Sequence, residues 1–226
     1  MKYCCQNKYI DYFHVPSYNY VDICCKELGI NKNKFIVTFF GVPDTYESMK
    51  YLKTPIKNYS LSIGRSNRDF NFLVNVWKQD CMKDKTLVIA SDTWRPTEQL
   101  PKNVIYKTDI ENEDSFAWFN NCNLCIIPIS DGSICSGDTV LLTSMMFGKP
   151  VVVTTPSTLS EMYVENDVNG VCIEKNAEKA ASIISELLND KNKSKMLGTN
   201  ARKCFLEKFS RKSMGIQLCK GIKELS

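Results

Sequence analysis

The chain has one histidine, His14, among its 226 residues, and its ten glycines are never two residues apart. It therefore lacks the G-x-G-x-x-G turn of dinucleotide-binding proteins, and it has no G-x-x-x-x-G-K-[ST] phosphate loop. These absences argue against a dehydrogenase and a P-loop kinase. A Ser-His-Asp triad is also unsupported, because nothing in the sequence places a nucleophile beside His14.

No run of about 18 apolar residues is present, so we expect no transmembrane helix. A secretory signal is also not expected, because the first five residues lead into polar ones. The 11 cysteines lie mostly in apolar segments, which favours free thiols in a reducing cytoplasm over disulfides. Cys122 and Cys125 have C-x-x-C spacing, but no second pair or nearby histidine completes a site, so we predict no metal and no cofactor.

The composition is that of a globular protein, with 43% hydrophobic and 24% charged residues. The net charge of +4 is small, and the lysines are dispersed along the chain. This pattern favours anionic ligands mildly and argues against nucleic acid as a partner. Peripheral contact with a membrane surface stays open.

From residue 34 onward, strand-like segments alternate with segments of helical spacing. The predicted strands are Lys34–Phe40, Tyr59–Ile63, Thr86–Ala90, Asn103–Tyr106, Cys125–Ile129, Val151–Thr154 and Val171–Ile173. The predicted helices are Asp69–Trp77, Ser115–Asn121, Thr139–Phe147 and most of the chain after its expected cap Asn176, with Ser210 capping the last helix. The alternation predicts an α/β fold, a Rossmann-like parallel sheet with helices on both faces and a helical C-terminus.

Two loops of the predicted sheet suit a phosphate group. In the segment CIIPISDGSICSGDT, Gly137 opens a helix after a buried strand, where backbone N–H groups and the hydroxyls of Ser136 and Thr139 favour an anion. In the segment SIGRSNRD, Arg65 and Arg68 follow another strand and match a dianion in charge and geometry. Taken alone, the segment with Gly137 is an ordinary helix start, and the segment with Arg65 and Arg68 is a solvated basic turn.

These segments, in this order, resemble the C-terminal, donor-binding domain of GT-B glycosyltransferases of family 4, the glycosyl transferases group 1. The resemblance covers roughly residues 8–225. The segment SMMFGKPVV is similar to the family's EAMA-x-GkPVV. The segment LGINKNKFIVTFFGVPDT is similar to the pattern at which the family's chain enters this domain. The segment STLSEMYVENDVNGVCI is similar to one whose glutamate lies near the donor.

The resemblance implies a role for each of these residues. Arg65 and Arg68 are implied to grip the donor diphosphate and are the candidate catalytic residues. The implied donor-binding residues are Gly64, Thr108, Asp109, Cys135, Ser136, Gly137, Asp138, Thr139, Thr143 and Glu161. Thr108 and Asp109 follow the strand at which relatives hold the nucleotide base through backbone groups. For Asp138, helix capping is the alternative to a functional carboxylate.

The chain departs from the family at two positions. Cys135 and Thr143 stand where the family has a pair of glutamates, one of which contacts the sugar while the other holds the ribose hydroxyls. Thr143 can still hydrogen-bond a hydroxyl, more weakly than a carboxylate does. Cys135 cannot replace a glutamate.

The resemblance further implies that residues 1–33 are a remnant of an N-terminal domain and linker, and that residues 34–226 form the nucleotide-sugar-binding domain. The acceptor half of such an enzyme is not in this chain. Partners are therefore expected to be a nucleotide-sugar donor and either an acceptor domain or a second copy. The acceptor domain or the second copy is expected to pack against an apolar surface of this chain that includes Phe13, Val15, Ile216 and Leu218.

Two hypotheses on function follow. The first is a glycosyltransferase that transfers a sugar from a nucleoside-diphosphate sugar to an acceptor, with retention at the anomeric carbon, in polysaccharide or glycolipid biosynthesis. The second is an inactive nucleotide-binding or assembly module derived from such an enzyme. Arg65, Arg68 and Gly137 favour the first, whereas Cys135 and Thr143 favour the second.

Overall fold

The computed structural model describes residues 10–110 and 114–225, so part of the predicted N-terminal remnant, residues 1–9, lies outside the described residues. The strands are β1 Phe13–Val15, β2 Phe35–Val37, β3 Tyr59–Ile63, β4 Thr86–Ala90, β5 Val104–Lys107, β6 Leu124–Ile127, β7 Val151–Thr154 and β8 Val171–Ile173. The α-helices are α1 Tyr18–Leu28, α2 Tyr46–Met49, α3 Phe70–Trp77, α4 Asp114–Asn121, α5 Asp138–Met146, α6 Thr158–Met162, α7 Ala177–Asn189, α8 Lys191–Cys204 and α9 Arg211–Leu225.

The chain divides into two compact units. The described residues up to Pro43 and those from Glu207 onward form the smaller unit, and Asp44–Leu206 form the larger one. The predicted boundary after residue 33 separates the remnant of an N-terminal domain from the nucleotide-sugar-binding domain. This boundary stays a prediction.

The larger unit is built on one parallel sheet of six strands in the order β5-β4-β3-β6-β7-β8. Every residue of β6 and β7 is buried. Strands that are buried on both faces read as continuous apolar runs, which is why these segments are so rich in Val, Ile and Leu. The prediction of a Rossmann-like parallel sheet flanked by helices is confirmed.

The core of the larger unit is closed by helices whose apolar faces meet the sheet. In α3, Phe70, Leu73 and Trp77 lie on one face, as expected for a period of 3.6 residues, and all three are buried. Asp69 caps this helix by accepting from the N–H of Phe72 at 3.0 Å. Asn176 caps α7 by accepting from the N–H of Lys179, as predicted.

The predicted bounds of β3, β4, β7 and β8 match the structure, whereas two other segments are shorter than predicted. β6 ends at Ile127 instead of residue 129, because Pro128 has no N–H to donate and its carbonyl instead accepts from the N–H of Asp69 at 2.8 Å. The predicted strand Lys34–Phe40 is reduced to β2, whose only partner strand among the described residues is the three-residue β1.

The smaller unit pairs β1 with β2 in parallel, with Phe13 beside Phe35. Its single histidine, His14, lies 2.7 Å through Nε2 from the hydroxyl of Thr38, so it is a satisfied structural residue. Ser210 caps α9 by accepting from the N–H of Ser213 at 3.1 Å, as predicted.

The predicted apolar surface of the smaller unit is only partly exposed. Ile216 is 61% exposed on α9, whereas Phe13, Val15 and Leu218 are half-buried. Association through this surface stays a prediction. Within the described ranges, no helix combines the length and the apolar character needed to cross a membrane.

Two helical glycines should respond in opposite ways to alanine. A Cβ on Gly198 in α8 would lie 2.2 Å from the carbonyl oxygen of Gly148, while a Cβ on Gly215 in α9 meets nothing within 4 Å. We expect Gly198→Ala to lower the free energy of unfolding by about 1–3 kcal/mol through overpacking. Gly215→Ala should raise the stability of its helix by about 0.5–1 kcal/mol. Thermal denaturation followed by circular dichroism measures both, and equal effects would contradict this packing.

Candidate functional site

The strand order of the larger unit reverses beside β3. The chain proceeds outward from β3 to β4 and β5, and then returns to place β6 on the other side of β3. In open α/β sheets, ligands bind in the crevice outside the carboxyl ends of the strands at such a switch point. Two loops border this crevice, residues 64–69 after β3 and residues 128–137 after β6, and they carry half of the predicted site residues.

Arg68 lies between the two loops. Its Nη1 donates to the carbonyl of Ser66 at 3.0 Å and to the hydroxyl of Ser136 at 3.1 Å. The guanidinium fits between two glycines, because a Cβ would lie 2.7 Å from Nε at Gly64 and 3.1 Å from Nη2 at Gly137. Burial lowers the pKa of Arg68, yet arginine stays charged. The result is a fixed cation whose buried Nε has no hydrogen-bond partner among the described residues.

Helix α5 begins beside this cation. Its N-cap, Gly137, has φ +97, and no side chain caps the helix. A Cβ at this position would approach Leu159 at 3.0 Å and Ile127 at 3.2 Å, so glycine meets both the conformational and the packing requirement. The helix start therefore has no side-chain cap at Gly137, and the positive end of its dipole favours an anion.

Asp138 and Cys135 lie at the same helix start. The thiol of Cys135 donates to Oδ2 of Asp138 at 3.4 Å. Burial raises the pKa of Asp138. Burial, followed by the charge of Asp138, raises the pKa of Cys135 to about 12. Cys135 is thus a neutral thiol at neutral pH and does not supply the negative charge that a glutamate would place there.

Arg65 points to another part of the crevice. Its guanidinium makes a two-pronged ion pair with Asp92, with Nη2–Oδ2 at 2.8 Å and Nε–Oδ1 at 3.0 Å. Both residues line a cavity of about 240 Å³ together with Gly64 and Thr108. This cavity, which also has apolar lining residues, holds a charged pair at the carboxyl ends of β3 and β4, and we call it the polar cavity for that pair.

A second, apolar cavity of about 400 Å³ adjoins the polar one, since both are lined by Ile63 and Ser115. Its wall includes Phe116 and Phe119 of α4. Thr139 and Thr143 of α5 also line the apolar cavity. They lie on one face because residues four apart on a helix are neighbours. Among its described lining residues, the cavity has hydroxyl groups but no charged side chain.

The structure brings most of the predicted residues to the crevice, with two exceptions. Asp109 is exposed and forms an ion pair with Lys107 at 3.2 Å. Glu161 is exposed on α6, two residues beyond Leu159, and residues two apart on a helix face different sides. Neither Asp109 nor Glu161 lines the two cavities.

Asp92 was missed by the sequence analysis, although a signal was present. It follows the buried strand β4 by two residues, and the carboxyl ends of parallel strands share one edge of the sheet. A polar residue directly after any of the predicted strands was therefore a candidate for the crevice.

Comparison with known proteins shows the family. A family model described as "Glycosyl transferases group 1" matches residues 82–204. The matched segment is more than half of the chain and includes α5 with the loop before it. The chain therefore belongs to the glycosyl transferases group 1 family. A comparison with curated proteins gives no match.

Solved GT-B glycosyltransferases are similar to this chain in fold. Anabaena Alr3699/HepE, in complex with UDP-glucose, gives a TM-score of 0.73 at 17% identity, covering 96% of this chain and 65% of that one. A glycosyltransferase from Rickettsia africae gives 0.73 at 16% identity, covering 99% and 66%. Sucrose-phosphate synthase from Thermosynechococcus elongatus gives 0.71 at 17% identity, covering 99% and 60%. This chain thus spans less than two thirds of the length of each.

Asp138→Asn should reduce the dependence of stability on pH. Because the pKa of Asp138 is raised, the folded chain holds the proton more tightly than the unfolded chain. This contribution to stability is full below the unfolded pKa of about 3.9 and is lost as pH rises through the folded pKa. In urea titrations we expect the variant to be the more stable protein at pH 7 and the difference to shrink at pH 4.

The control is Asp109→Asn. A hydrogen bond from Lys107 lowers the pKa of Asp109, so its carboxylate stabilises the folded chain when ionised. Its replacement should therefore change stability at pH 7 with the opposite sign. An Asp138→Asn variant that is less stable than the natural protein at pH 7 would contradict the expected cost of this half-buried carboxylate.

Proposed function

We propose that this chain is the donor-binding part of a glycosyltransferase that transfers a sugar from a nucleoside-diphosphate sugar to an acceptor. The observation that carries the proposal is the meeting of half-buried Arg68 with the start of α5, which has no side-chain cap at Gly137, at the switch point of the sheet. Both features favour a phosphate group, and family membership supports the reaction class.

In this proposal, the diphosphate lies against Arg68, the hydroxyl of Ser136 and the first N–H groups of α5. These donors would stabilise the negative charge that develops on the departing nucleoside diphosphate, which is the largest electrostatic demand of the reaction. The protein itself supplies the opposing positive charge, and the proposal includes no metal or cofactor. Transfer would proceed with retention at the anomeric carbon.

The two adjoining cavities would take the nucleoside. The pentose is the next group along the ligand after the diphosphate, so it would lie beside Thr139 and Thr143 on α5. The base would reach the polar cavity, where Thr108 and the Arg65–Asp92 pair offer hydrogen-bonding groups. Arg65 would contact the phosphates only by turning from Asp92, which makes Arg68 the primary phosphate ligand.

The acceptor side belongs to the proposal as well. Because the chain spans 65% of the length of HepE, we propose that an acceptor-binding part comes from a further domain or a second copy of the chain. The product would be a polysaccharide or glycolipid made in the cytoplasm, with the enzyme at most in peripheral contact with a membrane. The base and the sugar are open, and UDP-glucose, which is bound in the HepE structure, is the first donor to test.

One observation favours a second function, an inactive nucleotide-binding or assembly module. Cys135 is a neutral thiol with its pKa raised to about 12, and Thr143 is 6% exposed. Neither supplies the charge of the glutamates that the family resemblance implies at these positions. Such a module would bind the nucleotide sugar without breaking its glycosidic bond.

Nucleotide binding tests the proposed donor site. A nucleotide at 100 times its dissociation constant should stabilise the protein by about 2.7 kcal/mol, or about 5–10 °C in melting temperature. We expect such a shift with one of UDP, GDP or ADP, and we expect Arg68→Ala to abolish it. Arg211→Ala removes the same charge from an exposed position on α9 and should leave the shift intact. A folded natural protein that none of these nucleotides stabilises would count against the proposal.

Turnover separates the two functions. The sugar conjugate of the nucleotide that binds is incubated with the protein, and release of the nucleoside diphosphate is followed over hours. A glycosyltransferase should hydrolyse the donor slowly or transfer the sugar to an added acceptor, and Arg68→Ala should abolish this release. Tight binding with no release under any condition would favour the binding module.

A further inference from the structure

Asn67 connects the two loops that border the crevice. Its side-chain Oδ1 accepts from the N–H of Asp131 at 2.7 Å, and its Nδ2 donates to the carbonyl of Asp131 at 2.9 Å. The same Nδ2 donates to the carbonyl of Ile134 at 3.4 Å. The side-chain amide thus pairs with both backbone groups of one residue, as a neighbouring strand would.

The backbone of Asn67 contributes to the same connection. Its carbonyl accepts from the N–H of Ser130 at 3.2 Å, and its φ is +54, in the left-handed region. Asparagine is one of the few residues other than glycine that adopt this conformation readily. The turn directs the side chain across the crevice. The next residue, Arg68, forms an isolated antiparallel β-bridge with Ile129.

The consequence concerns the phosphate ligands. Arg68 belongs to the first loop, whereas Ser136 and Gly137 belong to the second. Their spacing decides whether one diphosphate can contact both, and the loss of one hydrogen bond to a charged group weakens binding about tenfold or more. Asn67 holds the second loop at Ser130, Asp131 and Ile134, immediately before the phosphate-binding positions.

We propose that Asn67 is a positioning residue that sets the distance between Arg68 and the start of α5, and so determines the affinity for the diphosphate without contacting it. This inference rests on the proposed function for its ligand. Its structural part concerns the order of residues 130–137 and can be measured without any nucleotide.

The test variant is Asn67→Gly, because glycine keeps the left-handed backbone and removes only the side-chain bonds. The chain offers a matched control in Asn58, which has φ +56 and stands before the opposite end of the same strand, β3. With UDP, GDP and ADP as probes, we expect Asn67→Gly to weaken the binding of the preferred nucleotide about tenfold or more. Asn58→Gly should bind like the natural protein.

A second measurement follows backbone amide exchange in the protein without nucleotide. The amide of Asp131 should exchange faster in Asn67→Gly, because its acceptor is lost, and should be unchanged in Asn58→Gly. Asn67→Asp keeps this acceptor but loses the two donations from Nδ2. The Asp131 amide in this variant should therefore exchange at a rate between those in the natural protein and in Asn67→Gly. Its added negative charge repels a diphosphate directly, so it serves in the exchange measurement alone, where it replaces Asn67→Gly if that variant does not fold.

The outcomes are distinct. Weaker nucleotide binding together with faster exchange, in Asn67→Gly and not in Asn58→Gly, supports the proposal. A change in only one of the two measurements overturns it when the natural protein binds a nucleotide, and so does no change in either. If the natural protein binds none of the three nucleotides, the proposed function fails on its own. Faster exchange in Asn67→Gly then supports the positioning role, and unchanged exchange overturns it.

Discussion

The reversal of strand order beside β3 is the constraint on which the rest of the structure depends. Because β4 and β6 lie on opposite sides of β3, the loops after β3 and β6 diverge from the sheet and leave a crevice at its carboxyl edge. One loop brings Arg68 and the other brings Gly137 with the start of α5. A cation and a helix dipole that are 69 residues apart in sequence, at Arg68 and Gly137, thereby share one small volume.

Burial then determines the chemistry of this volume. It fixes the guanidinium of Arg68 between two glycines, and it raises the pKa of both Asp138 and Cys135. The crevice thus favours an anionic ligand, while the two positions where the family has glutamates carry a neutral thiol and a buried hydroxyl. The cation and the helix start are the basis of the proposed donor site, whereas the two missing carboxylates are the basis of the alternative, a module that binds without cleaving.

Much of the site was predictable, and the exceptions have a common cause. Arg68, Ser136 and Gly137 were predicted from their places after a strand end or at a helix start, and Thr143 was predicted from the family resemblance. The structure brings these four residues to the crevice. Asp109 and Glu161 were placed in the site by resemblance, but the structure leaves them exposed. Asp92 and Asn67 were missed because their roles depend on partners in other loops.

The sequence by itself determined the elements and the fold class. Apolar runs, helical spacing and caps such as Asn176 and Ser210 are local features, so they predicted most strands, most helices and a parallel sheet. Only the tertiary structure decided which strand ends are neighbours. It therefore decided that Asn67 spans two loops, that Arg65 pairs with Asp92 and that a polar cavity adjoins an apolar one. Hydrogen bonds and ion pairs between distant segments depend on distances within a few ångströms, which no local pattern of residues encodes.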